Sequence, residues 1–105
     1  LRDRGCRIAV ISTTRCASLV RALNNFGLLT YVDAIVGREM VSRMKPDPEP
    51  YLRALEILGV DAADAVAFDD SSSGVASARA AGVYTVCYRG DSVADARLMD
   101  FRDLL

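Results

Sequence analysis

The sequence predicts an α/β fold in which a parallel sheet is covered by helices on both faces. Three observations carry this. Short apolar runs at 7–12, 32–37, 65–68 and 83–88 have the length and composition of buried strands. Segments with apolar residues at helical spacing separate them. Gly27, Gly59 and Gly82 each stand where such a segment ends, the usual place for a helix C-terminal glycine.

In chain order, RIAVIS (7–12) is the first strand, and TTR breaks it. Leu19, Val20, Leu23 and Phe26 then give a helix from Arg15 to Phe26, closed by Gly27. VDAIVG (32–37) is the second strand. Residues 38–48 form a loop ending in MKPDPEP, whose prolines forbid regular structure up to Pro48. Tyr51, Leu52, Leu55 and Leu58 give the next helix its apolar face, and Gly59 ends it. AVAF (65–68) is the third strand, followed by an Ala-rich helix over 72–81 with Gly82 at its C-terminus. VYTVCY (83–88) is the fourth strand and RGDS a turn. VADARLMDFRDLL closes the chain as one short helix and a tail. No internal repeat, low-complexity tract or linker interrupts this order, so 1–105 reads as a single domain.

A chain of 105 residues suits one core. It buries roughly two thirds of its unfolded surface, enough for stability without staples. The formal net charge of −1 and the absence of a basic stripe argue against nucleic acid as a partner. No apolar run approaches membrane-spanning length, and the N-terminal stretch LRDRGCRIAV is too short and too soon charged for a signal peptide. Cys6, Cys16 and Cys87 are odd in number, far apart and without metal-ligand spacing; they read as reduced thiols in a cytoplasmic protein. With no histidine, His-based triads and His-ligated zinc are excluded.

In parallel α/β sheets, ligands bind at the C-terminal ends of the strands. Ser12, Thr13 and Thr14 follow the first strand, directly before a helix, where hydroxyls and free N–H groups suit a phosphate; Ser and Thr are equally the commonest helix N-caps. Lys45 follows the second strand and its loop. It is the single lysine among 13 basic residues, and a compact ammonium is not interchangeable with guanidinium. A lysine there acts as a point charge on phosphate and bridges to a carboxylate, or is an ordinary surface residue. Asp69 and Asp70 follow the third strand. Two adjacent carboxylates suit a hard cation such as Mg²⁺. The alternative is that Asp69 faces the site while Asp70 caps the helix. Gly74 in the first turn fits a close backbone approach.

Hydroxyl, lysine and acidic pair after three successive strands resemble the haloacid dehalogenase superfamily. The resemblance is to its phosphatase and phosphomutase branch with a helical cap, of the phosphoglycolate-phosphatase and β-phosphoglucomutase kind. IAVISTTR resembles that family's second motif, MKPDPEPY its third, VAFDDSSSGVASARAAGV its fourth, and MDFRDLL its C-terminal segment. The resemblance implies a Rossmann-like three-layer core with these roles: Ser12 and Lys45 catalytic; Ser12, Thr13 and Lys45 on the substrate phosphate; Asp69 and Asp70 on Mg²⁺. The family's first motif, an apolar strand ending in DxDx[T/V] whose first aspartate is the nucleophile, has no counterpart here. Asp3 has no strand before it, and Asp91 and Asp95 are too far apart. The helical cap is missing as well. The expectation is therefore the C-terminal part of a core domain, inactive by itself.

For the intact protein the resemblance implies Mg²⁺-dependent hydrolysis of a small phosphorylated metabolite through an aspartyl-phosphate. A phosphomutase of the same family or a non-catalytic binding module are the alternatives. The acidic pair speaks against true dehalogenation, whose enzymes carry a Ser-rich sequence there. A receiver domain shares the size, the acidic pair and the lysine, but there the pair comes early and the lysine last; here the lysine precedes the pair. With the family's central strand missing, exposed edges are expected to drive self-association or poor stability.

Overall fold

The computed structural model describes residues 6–88 and 96–98. The strands are β1 (Ala9–Ile11), β2 (Ala34–Val36), β3 (Val66–Asp69), β4 (Tyr84–Tyr88) and β5 (Ala96–Leu98). The helices are α1 (Cys16–Asn25), α2 (Glu49–Leu58) and α3 (Ser72–Ala80). Every strand pairing is parallel, as expected. β1 pairs with β2 in the register Val10 to Ile35. β3 pairs with β4 in the register Phe68 to Val86, and β4 with β5.

The helices end as the glycines require. Gly27, Gly59 and Gly82 all have φ near +70 to +80°, where only glycine is free of strain. After Gly59, the Val60 N–H reaches back to the Leu55 carbonyl at 3.2 Å, the bond that seals a left-handed helix terminus. α2 packs on β1 and β2 and touches α3, while α3 packs on β3 and β4. Tyr51, Ala67, Ala78, Ala81 and Val83 form the core between them, with Ile11 and Leu55 packed against it.

Three expectations change, and others fall on residues outside those described. The sheet is in two pieces, β1–β2 and β3–β4–β5, with no ladder between β1 and β3 among the described residues. The segment ARL, expected inside a helix, is strand β5, because the edge of β4 offers it a ladder. The expected RGDS turn and MDFRDLL segment, with Asp3, Asp91 and Asp95, lie outside the described residues. Short 3₁₀ turns at Leu29–Tyr31, Arg38–Met40 and Ala62–Asp64 replace plain loop.

The apolar stripes are also narrower than read. Leu19, Tyr51 and Ala54 are buried, but Val20 and Leu52 are exposed. Each of these two stands one residue, about 100° of helix, past a buried neighbour. Phe26 is 78% exposed; it is the C-cap of α1 and has left the helical stripe. Among the described residues, no helix is long and apolar enough to cross a membrane.

Candidate active site

The polar residues at the strand ends fall into one braced group and two open ones. The braced group is built on Asp69, the last residue of β3. Its Oδ1 accepts from the Ser71 N–H and the Ser71 hydroxyl, both at 2.9 Å. Its Oδ2 accepts from Lys45 Nζ at 3.0 Å and the Tyr51 hydroxyl at 3.3 Å. Lys45 and Asp69 are both only 10% exposed at the side chain. Burial is the largest influence on Asp69 and would raise its pKa. The Ser71 N–H, the Lys45 ammonium and the Ser71 hydroxyl together outweigh it and hold the carboxyl below its usual range.

The Lys45 ammonium also donates to the Ile11 carbonyl at 3.4 Å and stands 5.7 Å from the centroid of the Tyr51 ring. It thus ties the end of β3 to the end of β1. The loop that presents it is braced from several sides. Glu49 accepts from the Ser42 and Arg43 N–H groups at 2.6 and 3.2 Å. Asp47 accepts from the Glu49 N–H at 2.9 Å, and its carbonyl receives the buried Ser77 hydroxyl at 2.5 Å. The Lys45–Pro46 peptide bond is cis.

Gly74 closes the site from below. A Cβ there would overlap the Asp69 carboxylate, so only glycine lets α3 start this close. The N-cap of α3 is Ser71, whose side chain accepts from the Gly74 N–H at 3.0 Å. The alternative role of Asp70 as helix cap is therefore taken by its neighbour. Asp70 is exposed and its carboxylate has no hydrogen-bond or ion-pair partner among the described residues.

Ser12 and Thr13 are not N-caps either. α1 begins after Arg15, which makes no side-chain cap. The Ser12 N–H donates to the Val36 carbonyl at 3.0 Å, and the Ser12 hydroxyl accepts from the Thr14 N–H at 3.1 Å. Thr14 in turn accepts from the Arg38 N–H at 3.0 Å, so the loop after β1 is pinned to the one after β2. Glu39 adds a second pin by accepting from the Cys16 N–H at 2.9 Å. That bond holds the Glu39 carboxyl low, while burial, and then Glu39 itself, push the Cys16 thiol up. Ser12 lies next to Ile11, whose carbonyl Lys45 contacts, but no hydrogen bond among the described residues joins Ser12, Thr13 or Asp70 to Lys45.

The structure thus brings Lys45 and Asp69 together and adds two residues that sequence reasoning missed. Tyr51 was legible as an apolar helix position; the trace of a second role was its hydroxyl, which must find a partner when buried. Ser71 was legible only as part of a serine run. The expected Mg²⁺ site does not fit the described residues taken alone. Its chemistry is right, hard oxygen donors, but Asp69 is saturated, and no group of three or more His, Cys, Asp or Glu among the described residues forms a metal cluster.

A family model described as haloacid dehalogenase-like hydrolase matches residues 1–88. The chain is 42% identical to a phosphoglycolate phosphatase of Cupriavidus necator, over 79% of this chain and 36% of that protein. Its fold superposes on a haloacid dehalogenase phosphatase from Thermococcus onnurineus with a TM-score of 0.89 and 31% identity, over 99% of this chain and 51% of that one. A mutant CbbY from Rhodobacter sphaeroides in complex with xylulose-(1,5)bisphosphate gives 0.88 and 31%, over 98% and 50%. The chain therefore spans between about a third and half of the length of these relatives.

Proposed function

Because the chain belongs to the haloacid dehalogenase-like hydrolase family, we propose that it is the C-terminal part of the core of a phosphohydrolase acting on a small phosphorylated metabolite. The observation that carries this is the Lys45 ammonium, held by Asp69 and the Ile11 carbonyl at the C-terminal ends of β3 and β1. A near-buried cation at that position is suited to a phosphate dianion, and the chain's similarity to a phosphoglycolate phosphatase supports a phosphate-handling reading.

In this reading Lys45 neutralises phosphate charge, and Ser12 with the Thr13 N–H grips phosphate oxygens beside it. The Ser12 hydroxyl already has its lone pair on the Thr14 N–H, which leaves its proton to donate. Catalysis is then mainly electrostatic stabilisation by prepositioned donors. The nucleophilic aspartate of the proposed aspartyl-phosphate route comes from outside this chain. Mg²⁺ is the proposed cofactor, with Asp70 the open carboxylate this chain offers it; the remaining oxygens must come from outside the described residues.

The test is to sequence the coding DNA upstream of Leu1 and assay the encoded protein for phosphate release from phosphoglycolate and a series of sugar phosphates. An upstream strand ending in DxDx[T/V] with turnover of any of these supports the reading. A start codon immediately before Leu1, with no phosphate release by the protein, leaves the binding-module alternative in its place.

A further inference from the structure

We propose that Asp69 is not a cation ligand but a positioning residue, which with Tyr51 turns the Lys45 ammonium into a directed donor. The reasoning starts from valence. An ionised carboxylate offers about four lone-pair directions and no proton. All four are used here, by Ser71 N–H, Ser71 hydroxyl, Lys45 and Tyr51. A cation reaching Asp69 would have to displace one of these donors.

The donors are themselves fixed. Ser71 Oγ accepts from the Gly74 N–H, so its proton is the part left for Asp69. The Tyr51 side chain is buried, and Asp69 is the hydrogen-bond partner of its hydroxyl. Burial, then the Asp69 charge, push the Tyr51 phenol above its usual range, so it stays a donor. Gly74 lies so close that the carboxylate has no room to swing towards α3. Asp69 is thus clamped on both oxygens.

What the clamp controls is Lys45. An ammonium has three N–H donors on a flexible stem. One goes to Asp69 and one to the Ile11 carbonyl, with the Tyr51 ring flanking the nitrogen. The third has no partner among the described residues. Two fixed acceptors leave that proton one direction at the strand ends. The two adjacent acids therefore have different tasks: Asp69 aims Lys45, and Asp70, without a partner among the described residues, is the one open to a cation. Only the identity of what the third proton meets rests on the phosphatase reading; the clamp itself involves no substrate.

Lys45 is the chain's single lysine, so ¹⁵N-lysine labelling gives one side-chain resonance. The experiment follows proton exchange of that ammonium in the 105-residue chain without substrate. The wild type is expected to show a slowly exchanging Nζ–H cross-peak. Asp69→Asn should speed exchange by at least about tenfold, the scale of one lost hydrogen bond to a charged group, and Tyr51→Phe should speed it measurably. Asp70→Asn should leave it unchanged. A wild-type ammonium exchanging as fast as free lysine overturns the proposal, as does Asp70→Asn matching Asp69→Asn, or MgCl₂ speeding wild-type exchange. Amide spectra establish that each variant is folded; should Asp69→Asn not fold, Tyr51→Phe decides, and unchanged exchange in it overturns the clamp. None of these readouts depends on turnover, so a failed clamp and a failed phosphatase assignment are told apart.

Discussion

Lys45 and Asp69 meet at 3.0 Å, each only 10% exposed, although Lys45 lies in the loop before α2 and Asp69 ends β3. The same ammonium touches the Ile11 carbonyl, so one side chain links the β1–β2 and β3–β4–β5 pieces where no strand ladder among the described residues does. A nearly buried carboxylate is tolerated only when its remaining acceptor valence is met, and here Ser71 and Tyr51 meet that of Asp69. The contact is thus both a joint of the fold and the centre of the proposed site.

In the proposed phosphohydrolase, Lys45→Ala is expected to lower kcat by about 10²–10³, the cost of losing one preorganised donor. Lys45→Arg should not restore it, because a planar guanidinium does not fit a point-charge position. Steady-state kinetics checks both, and near wild-type turnover in Lys45→Ala would remove Lys45 from the mechanism.

Asp69 makes stability depend on acid pH. Its folded pKa is lowered, so its contribution is complete above the unfolded value of about 3.9 and fades as pH falls through the folded value. Urea melts of the wild type and Asp69→Asn should differ by a constant amount from about pH 7 to about pH 5 and converge below about pH 4. A difference that persists into strong acid contradicts the ionic role.

Gly74→Ala sets two effects against each other. Alanine gains about 1 kcal/mol of helix propensity, but its Cβ meets a carboxylate held by four donors. The clash wins, because relief requires breaking those bonds; net destabilisation of about 1–3 kcal/mol is expected by urea melts. A stabilised variant would show that Asp69 moves without cost.

The three thiols should separate kinetically under a disulfide-exchange reagent. Cys6 is exposed and reacts first. Cys16 follows, since burial and Glu39 raise its pKa and lower its thiolate fraction. Cys87 is fully buried in β4 and reacts only on unfolding. Fast labelling of Cys87 in the native state would mean that β4 is not held as described.

Strand edges should drive association. Among the described residues β1 pairs only with β2, and β3 only with β4, which leaves one edge of each without a ladder. Val66 on β3 is also 55% exposed. Sedimentation across a range of micromolar concentrations is expected to show self-association. A sharp monomer that melts cooperatively would mean that these edges are otherwise protected.

Much of this was readable along the chain. The strands β1 to β4 and helices α1 to α3 stand where the apolar runs, periodicity and glycines put them, because those are local rules of pleat, pitch and positive φ. β5 was not readable, since three residues carry no period and the strand exists only by pairing with β4. The bracing by Glu39 and Glu49 was equally hidden, because a glutamate's side chain gives no sign of which N–H it will reach.

The α/β class, the family resemblance and the residues that gather at the strand ends follow from pattern and order along the chain. Which acid of the pair is occupied emerges only from the packing. The lone pairs of Asp69 are filled by donors 24 and 18 residues away as well as by its neighbour Ser71. Which donors reach a carboxylate depends on how distant segments pack, and two adjacent aspartates look alike until that packing is known.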